Sequence, residues 1–207
     1  METLFTKIYE TNAWGSSIST DFDGNSGGGS TVNSNITTYI PFLRSFITDN
    51  QIKSVVDLGC GDFRCGPHIY DDLDVSYFGY DTYEKVITCH KKTFFDSKKY
   101  TFCHLDFSIH PDEIVGADLC ILKDVLQHWE NFDDIYRVLD SLTTSKKFKY
   151  IMIVNCSYQD KDGYKDNKMY GPGVFRPLSA RFLPLQKYTP TIIYKYGSKE
   201  VSIIRTM

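Results

Sequence analysis

The sequence predicts an α/β domain, doubly wound around a mostly parallel seven-stranded sheet that ends in an antiparallel hairpin. Three observations carry this. From residue 53 onward short β-rich runs alternate with helix-compatible stretches, several runs are apolar throughout, and Gly197-Ser198-Lys199 separates two final β-rich segments. Alternation implies parallel strands joined by crossovers. Unbroken apolar runs suit strands covered on both faces.

The expected parallel strands are Ser54–Leu58, Ser76–Tyr80, Tyr100–Leu105, Ala117–Lys123 and Lys149–Val154, and the hairpin pairs Thr191–Tyr196 with Glu200–Arg205. Phe132, Ile135, Tyr136, Val138, Leu139 and Leu142 recur at helical spacing behind a capping residue, Asn131. Ile36, Tyr39, Ile40, Leu43, Phe46 and Ile47 suit one face of an earlier helix, which Pro41 must start or kink. One domain is expected: an N-terminal flap and helix (1–50), a cofactor-binding core (51–155), a substrate loop (156–190) and the hairpin (191–207).

Composition narrows the function. With 42% apolar and 24% charged residues in 207, the chain can bury a full core. It contains no apolar run of membrane-spanning length, and METLFTKIYETN lacks the pattern of a secretory leader. Six cysteines without a CxxC pair fit free thiols in a reducing, cytoplasmic setting rather than a zinc site, and no cluster has metal-ligand spacing. Charge is uneven. Residues 1–145 carry 11 Lys and Arg against 22 Asp and Glu, whereas residues 146–207 carry 12 against 4. A basic end on an acidic body can attract an anionic substrate.

The most specific signal is Val55-Val56-Asp57-Leu58-Gly59-Cys60-Gly61-Asp62, a strand running into a glycine turn where backbone can approach a ligand closely. Arg64 stands where a dinucleotide fingerprint would place its third glycine, which points to another nucleoside. Asp81 follows the next strand and suits two vicinal ribose hydroxyls. Asp106 follows the third, where it can accept from an adenine amino group while Phe107 packs on the ring. A single such aspartate often only caps a turn; three at successive strand ends form a set.

That set resembles the class I S-adenosylmethionine-dependent methyltransferases, whose fold is Rossmann-like, over roughly residues 53–155. A narrower likeness runs through Ser26-Gly27-Gly28-Gly29-Ser30, Asp57 to Phe63, Lys123-Asp124-Val125-Leu126-Gln127-His128-Trp129 and Phe175-Arg176-Pro177-Leu178. These are similar to the SGPGS, CGDFNWM, RDCLVHL and WRPLNL motifs of a family of small microbial methyltransferases, with Arg64-Cys65 in place of Asn-Trp and Lys123 in place of arginine. The resemblance implies S-adenosylmethionine as cofactor and S-adenosylhomocysteine as product. The candidate cofactor contacts are Asp57, Gly59, Cys60, Gly61, Asp81, Asp106, Phe107 and Lys123, with Ser26, Gly29 and Ser30 from the flap.

Methyl transfer to a hydroxyl also needs a base. His128 suits that role because imidazole titrates near neutral pH. Asp124, four residues earlier, would face it on a helix and orient the ring; the plainer alternative is a turn histidine packed by Trp129. Trp14, Tyr158, Tyr170 and Arg176 are candidate acceptor contacts, Arg176 through its planar fork. The expected reaction is O-methylation of a sugar, nucleotide sugar or glycan precursor. The alternatives are a nucleic-acid methyltransferase, which the overall acidity opposes, and an inactive cofactor-binding subunit. No membrane partner is expected.

Overall fold

The structure is a computed structural model that describes residues 1–15, 25–157, 166–167 and 176–206. Its chain forms two compact units, Met1–Asp106 and Phe107–Met207. The first contains α1 (Glu2–Glu10), α2 (Val32–Asn35), α3 (Tyr39–Asp49), β1 (Ser54–Leu58), α4 (Gly66–Tyr70), β2 (Ser76–Asp81), α5 (Glu84–Thr93) and β3 (Tyr100–His104). The second contains β4 (Ala117–Lys123), α6 (Phe132–Thr144), β5 (Phe148–Cys156), β6 (Thr191–Tyr196) and β7 (Lys199–Arg205). The seven strands make one mostly parallel sheet.

In the first unit the strand order is β3-β2-β1, all parallel, with Asp57 opposite Gly79 and Asp81 opposite His104. Pro41 lies in the first turn of α3, where a missing N–H costs nothing, so the helix runs on without a break. Tyr39, Ile40, Leu43 and Ile47 are its buried face, while Ile36 stands before the helix, 48% exposed. Helix α1 has no counterpart among the sequence expectations. Its buried face is only Ile8 and Tyr9, too few positions to register as a stripe.

In the second unit the order is β4-β5-β7-β6, with β4 and β5 parallel and β7 antiparallel to both of its neighbours. Leu119–Leu122 and Ile151–Cys156 are continuously buried, as two-sided cover requires. Ile135, Val138, Leu139 and Leu142 are the buried stripe of α6, and Asn131 Oδ1 accepts from Asp134 N–H at 2.8 Å as its cap. Gly197 turns the final hairpin at φ 52°, and Lys199 belongs to β7 rather than to the turn. No helix among the described residues is long and apolar enough to cross a membrane.

Candidate active site

The first unit assembles the expected cofactor residues around one loop. After β1 the chain passes through Gly59 (φ 83°) and Gly61 (φ 54°), conformations that L side chains rarely adopt. A Cβ on Gly61 would sit 2.3 Å from Ser26 Oγ, so the position is closed to other residues sterically as well. Gly59 and Cys60 N–H both donate to Tyr80 O, at 2.8 and 2.9 Å, which ties the loop to the tip of β2. At that tip Asp81 is buried, and each carboxylate oxygen accepts one backbone N–H: Oδ2 from Gly61 at 2.9 Å and Oδ1 from Tyr83 at 3.0 Å. Burial pushes the Asp81 carboxyl above its ordinary value, and the N–H donors partly oppose this.

His90 of α5 fixes the other side of the loop. Its Nε2 lies 2.7 Å from Gly61 O, and a carbonyl only accepts, so Nε2 carries the proton. Burial lowers the pKa of His90, favouring the neutral ring. Around it Phe63, Phe94 and Phe102 form an aromatic cluster. The peptide of Gly61 is thus held between His90 and Asp81.

The glycine-rich flap is pinned to the same loop by Asp62. Ser26 N–H donates to Asp62 Oδ2 (3.0 Å), Asp62 N–H donates to Ser26 Oγ (2.8 Å), and Ser30 Oγ donates to Asp62 Oδ2 (3.1 Å). Gly29 O accepts from Asn35 Nδ2 at 2.9 Å. Tyr9 hydroxyl shares a 2.7 Å bond with Ser26 Oγ, and its ring stacks on Tyr83 at 4.6 Å. Trp14 packs against Phe5 and Tyr9, as part of the α1 cover.

Two of the expected acids have additional partners. Asp57 Oδ2 accepts from Tyr77 hydroxyl at 2.8 Å, and Asp106 Oδ2 accepts from the Met1 ammonium and Glu2 N–H, both at 2.9 Å. In this arrangement Asp106 caps α1, a favourable place for a carboxylate. Cys60 is half-buried, and desolvation of its thiol raises its pKa.

In the second unit β4 ends at Lys123, and Asp124 turns the chain at φ 59° before a 3-10 turn, Leu126–His128. The expected helical pairing of Asp124 with His128 does not form, because a left-handed residue cannot share a helix face with its i+4 neighbour. Asp124 instead bonds Lys123 Nζ through Oδ2 (2.8 Å) and Lys199 Nζ through Oδ1. Burial opposes its ionisation, yet the two ammoniums hold its pKa below the ordinary value. Lys123, expected as a cofactor contact, has its ammonium on Asp124.

His128 is buried, and its Nε2 lies 3.3 Å from Gln127 Nε2. Gln127 Oε1 accepts from Cys156 N–H at 2.8 Å, which fixes the amide orientation. The Gln127 NH2 is then the donor toward His128, so the Nε2 of a neutral His128 bears a lone pair. Gln127, not Asp124, therefore sets the tautomer. Phe107 packs against Trp129 at 5.9 Å between ring centroids. Arg176 is 1% exposed, with its guanidinium 5.1 Å over the Phe132 ring. Tyr158 and Tyr170 lie outside the described residues.

Asp62, His90, Gln127 and Lys199 went unrecognised in the sequence. For Asp62 a signal existed, since it directly follows the glycine loop; His90, Gln127 and Lys199 act through contacts 29 to 75 residues distant. Among the described residues no group of acidic, histidine and cysteine side chains could hold a metal ion.

No family model matches this sequence, and a search of curated proteins finds no match. Solved structures do match. The N-terminal domain of EvdMO1, crystallised in the presence of S-adenosylhomocysteine and D-fucose, is 13% identical with a TM-score of 0.57, over 81% of this chain and 82% of that one. An O-methyltransferase family protein from Burkholderia thailandensis is 12% identical (TM-score 0.62, 80% of this chain, 54% of that one). The mitomycin 7-O-methyltransferase MmcR is 15% identical (TM-score 0.60, 81% and 54%). The chain thus spans about half the length of the latter two. At these identities the likeness establishes the fold.

Proposed function

We propose that the protein is an S-adenosylmethionine-dependent methyltransferase that acts on a hydroxyl of a small molecule, a sugar or sugar-containing precursor. The observation that carries this reading is the buried Asp81 at the tip of β2, bonded to the N–H of Gly61. Each of its oxygens is engaged by one N–H and keeps further lone-pair capacity, which suits two ribose hydroxyls. Gly59 and Gly61 supply backbone without side-chain bulk beside it. These residues fit the cofactor. Asp57, Asp106 and the flap held by Asp62 would complete its surroundings, with Ser26 and Ser30 above the loop.

When bound, S-adenosylmethionine supplies a methyl group already activated on a sulfonium. The chain's own task is to align the acceptor and remove its proton. His128 is assigned the base, whose Nε2 would take the proton of the acceptor hydroxyl. Gln127 donates to that nitrogen and keeps it unprotonated, and the acceptor hydroxyl would displace the Gln127 N–H from it. The sugar as acceptor is supported by the solved EvdMO1 domain, crystallised in the presence of D-fucose, a likeness of fold only. The six cysteines, none of them in a disulfide, support a reducing compartment such as the cytoplasm.

The test is calorimetric titration with S-adenosylhomocysteine, followed by its release from S-adenosylmethionine with sugar and nucleotide-sugar acceptors. Binding and turnover are expected; a protein that binds neither nucleoside refutes the reading.

A further inference from the structure

We propose that the side-chain amide of Asn155 binds two adjacent hydroxyls of the methyl acceptor, as a sugar ring carries them, and so selects the substrate. Only the words methyl acceptor rest on the methyltransferase reading; the hydroxyl site stands on its own geometry. Asn155 is the penultimate residue of β5, at the carboxyl end of a strand that runs parallel to β4, the edge where open α/β sheets bind ligands. It is 1% exposed, and neither its Nδ2 nor its Oδ1 has a hydrogen-bond partner among the described residues. Buried amides are as a rule bonded, because an unanswered donor or acceptor has given up water for nothing.

The polar groups beside it are engaged elsewhere. Val154 O accepts from Asp124 N–H at 2.8 Å, and Cys156 N–H donates to Gln127 Oε1 at 2.8 Å. Across the ladder Asn155 pairs with Glu200, so their side chains share a face. Glu200 Oε1 accepts from Ser179 Oγ (3.1 Å) and Ala180 N–H (2.8 Å), and its Oε2 accepts from Ser157 Oγ (3.4 Å). Ile151 and Ile153 precede Asn155 on that face, are buried, and offer only hydrocarbon.

The same strand end carries the assigned base. Gln127 bonds Cys156 N–H and donates to His128 Nε2, which ties the turn Leu126–His128 to β5 one residue beyond Asn155. Asp124 N–H makes the last backbone bond from the end of β4 to β5, and Asp124 then turns the chain away at φ 59°, so the next N–H of β5 on that side meets the Gln127 side chain instead. The ladder thus ends beside Asn155. An amide presents a donor and an acceptor side by side, and two adjacent hydroxyls answer with an acceptor and a donor. A strand holds that pair of atoms more precisely than a loop would.

The experiment titrates the protein, alone and saturated with S-adenosylhomocysteine, with D-glucose and D-fucose, and follows thermal unfolding. Wild type is expected to bind at least one of the sugars. Asn155→Leu, similar in size but without polar atoms, should weaken that binding by about tenfold or more and leave S-adenosylhomocysteine affinity within about twofold. Its melting temperature should equal or exceed that of wild type, since an apolar side chain leaves nothing unanswered. Asn155→Ser, whose hydroxyl both donates and accepts, should recover part of the sugar affinity. Should Asn155→Leu fold poorly, Asn155→Ala removes the same two groups. Unchanged sugar affinity in whichever of these two variants folds overturns the proposal, because the amide then serves the fold alone, and so does a wild type that binds neither sugar. Failure of S-adenosylhomocysteine to bind while sugar binding persists defeats the methyltransferase reading instead.

Discussion

Ser26 and Asp62 bond each other twice: the Ser26 N–H donates to Asp62 Oδ2 at 3.0 Å, and the Asp62 N–H donates to Ser26 Oγ at 2.8 Å. This reciprocal pair joins segments 36 residues apart and closes the glycine-rich flap onto the turn after β1. Asp62→Ala leaves Ser26 N–H without its acceptor and Ser30 Oγ with Gly27 O in place of Asp62, so S-adenosylhomocysteine affinity should fall by about tenfold. Ser26→Ala should cost less. The double variant should fall short of the sum of the two, because both changes break one interaction, and a calorimetric double-mutant cycle reads this directly.

Asp81 makes affinity pH-dependent. Its carboxylate accepts ribose hydroxyls only when ionised, and its pKa is raised above the ordinary 3.8 by burial. Affinity is therefore present above the raised value and lost as pH falls through it, earlier than an ordinary aspartate would allow. Asp81→Asn should weaken S-adenosylhomocysteine binding by about tenfold or more and flatten the pH profile, since a side-chain NH2 then faces a backbone N–H. Dissociation constants measured between pH 7 and pH 4 test both statements.

His128→Ala separates chemistry from binding. Turnover should fall by about 100-fold to 10,000-fold, the usual contribution of a general base, with S-adenosylhomocysteine affinity unchanged. A variant that keeps wild-type turnover removes His128 from the mechanism.

The charge cluster of the second unit predicts an acid-sensitive fold. The lowered pKa of Asp124 contributes stability that is present above its unfolded value and lost as pH falls through the folded one. Lys199 has the opposite sign. Its pKa is raised, so its contribution is present below the unfolded value of 10.5 and lost as pH rises through the folded one. Asp124→Asn leaves two ammoniums facing each other and should cost about 3 kcal/mol at neutral pH. That deficit relative to wild type should shrink as pH falls through the lowered value of Asp124; urea unfolding followed from pH 7 into acid measures it.

His90 predicts a donor requirement. His90→Phe leaves the Gly61 carbonyl without its buried donor, at a cost of about 1–3 kcal/mol, and should weaken S-adenosylhomocysteine binding as the loop loosens. His90→Gln restores an N–H and should recover part of both, which thermal melts and titration will show.

Much of the fold was legible because it rests on local pattern. The apolar runs of β4 and β5 and the 3.6-residue stripe of α6 behind Asn131 declare their partners' faces without long-range information. The glycine turn after β1 was legible for the same reason, since positive φ at Gly59 and Gly61 is a backbone demand that few residues meet. Helix α1 was not, because two buried residues leave too weak a period.

Sequence alone therefore determined the alternating strands and helices, the final hairpin, the glycine loop and the acids at successive strand ends, all of which follow from short-range sterics and hydrophobic period. Tertiary structure decided which charge meets which. Asp124 faces Lys199, 75 residues later, rather than His128, four residues later, because one left-handed residue redirects the chain and register brings β7 alongside β5. Spacing along a chain predicts contacts only while the backbone stays helical or extended, and a single positive φ ends that regularity.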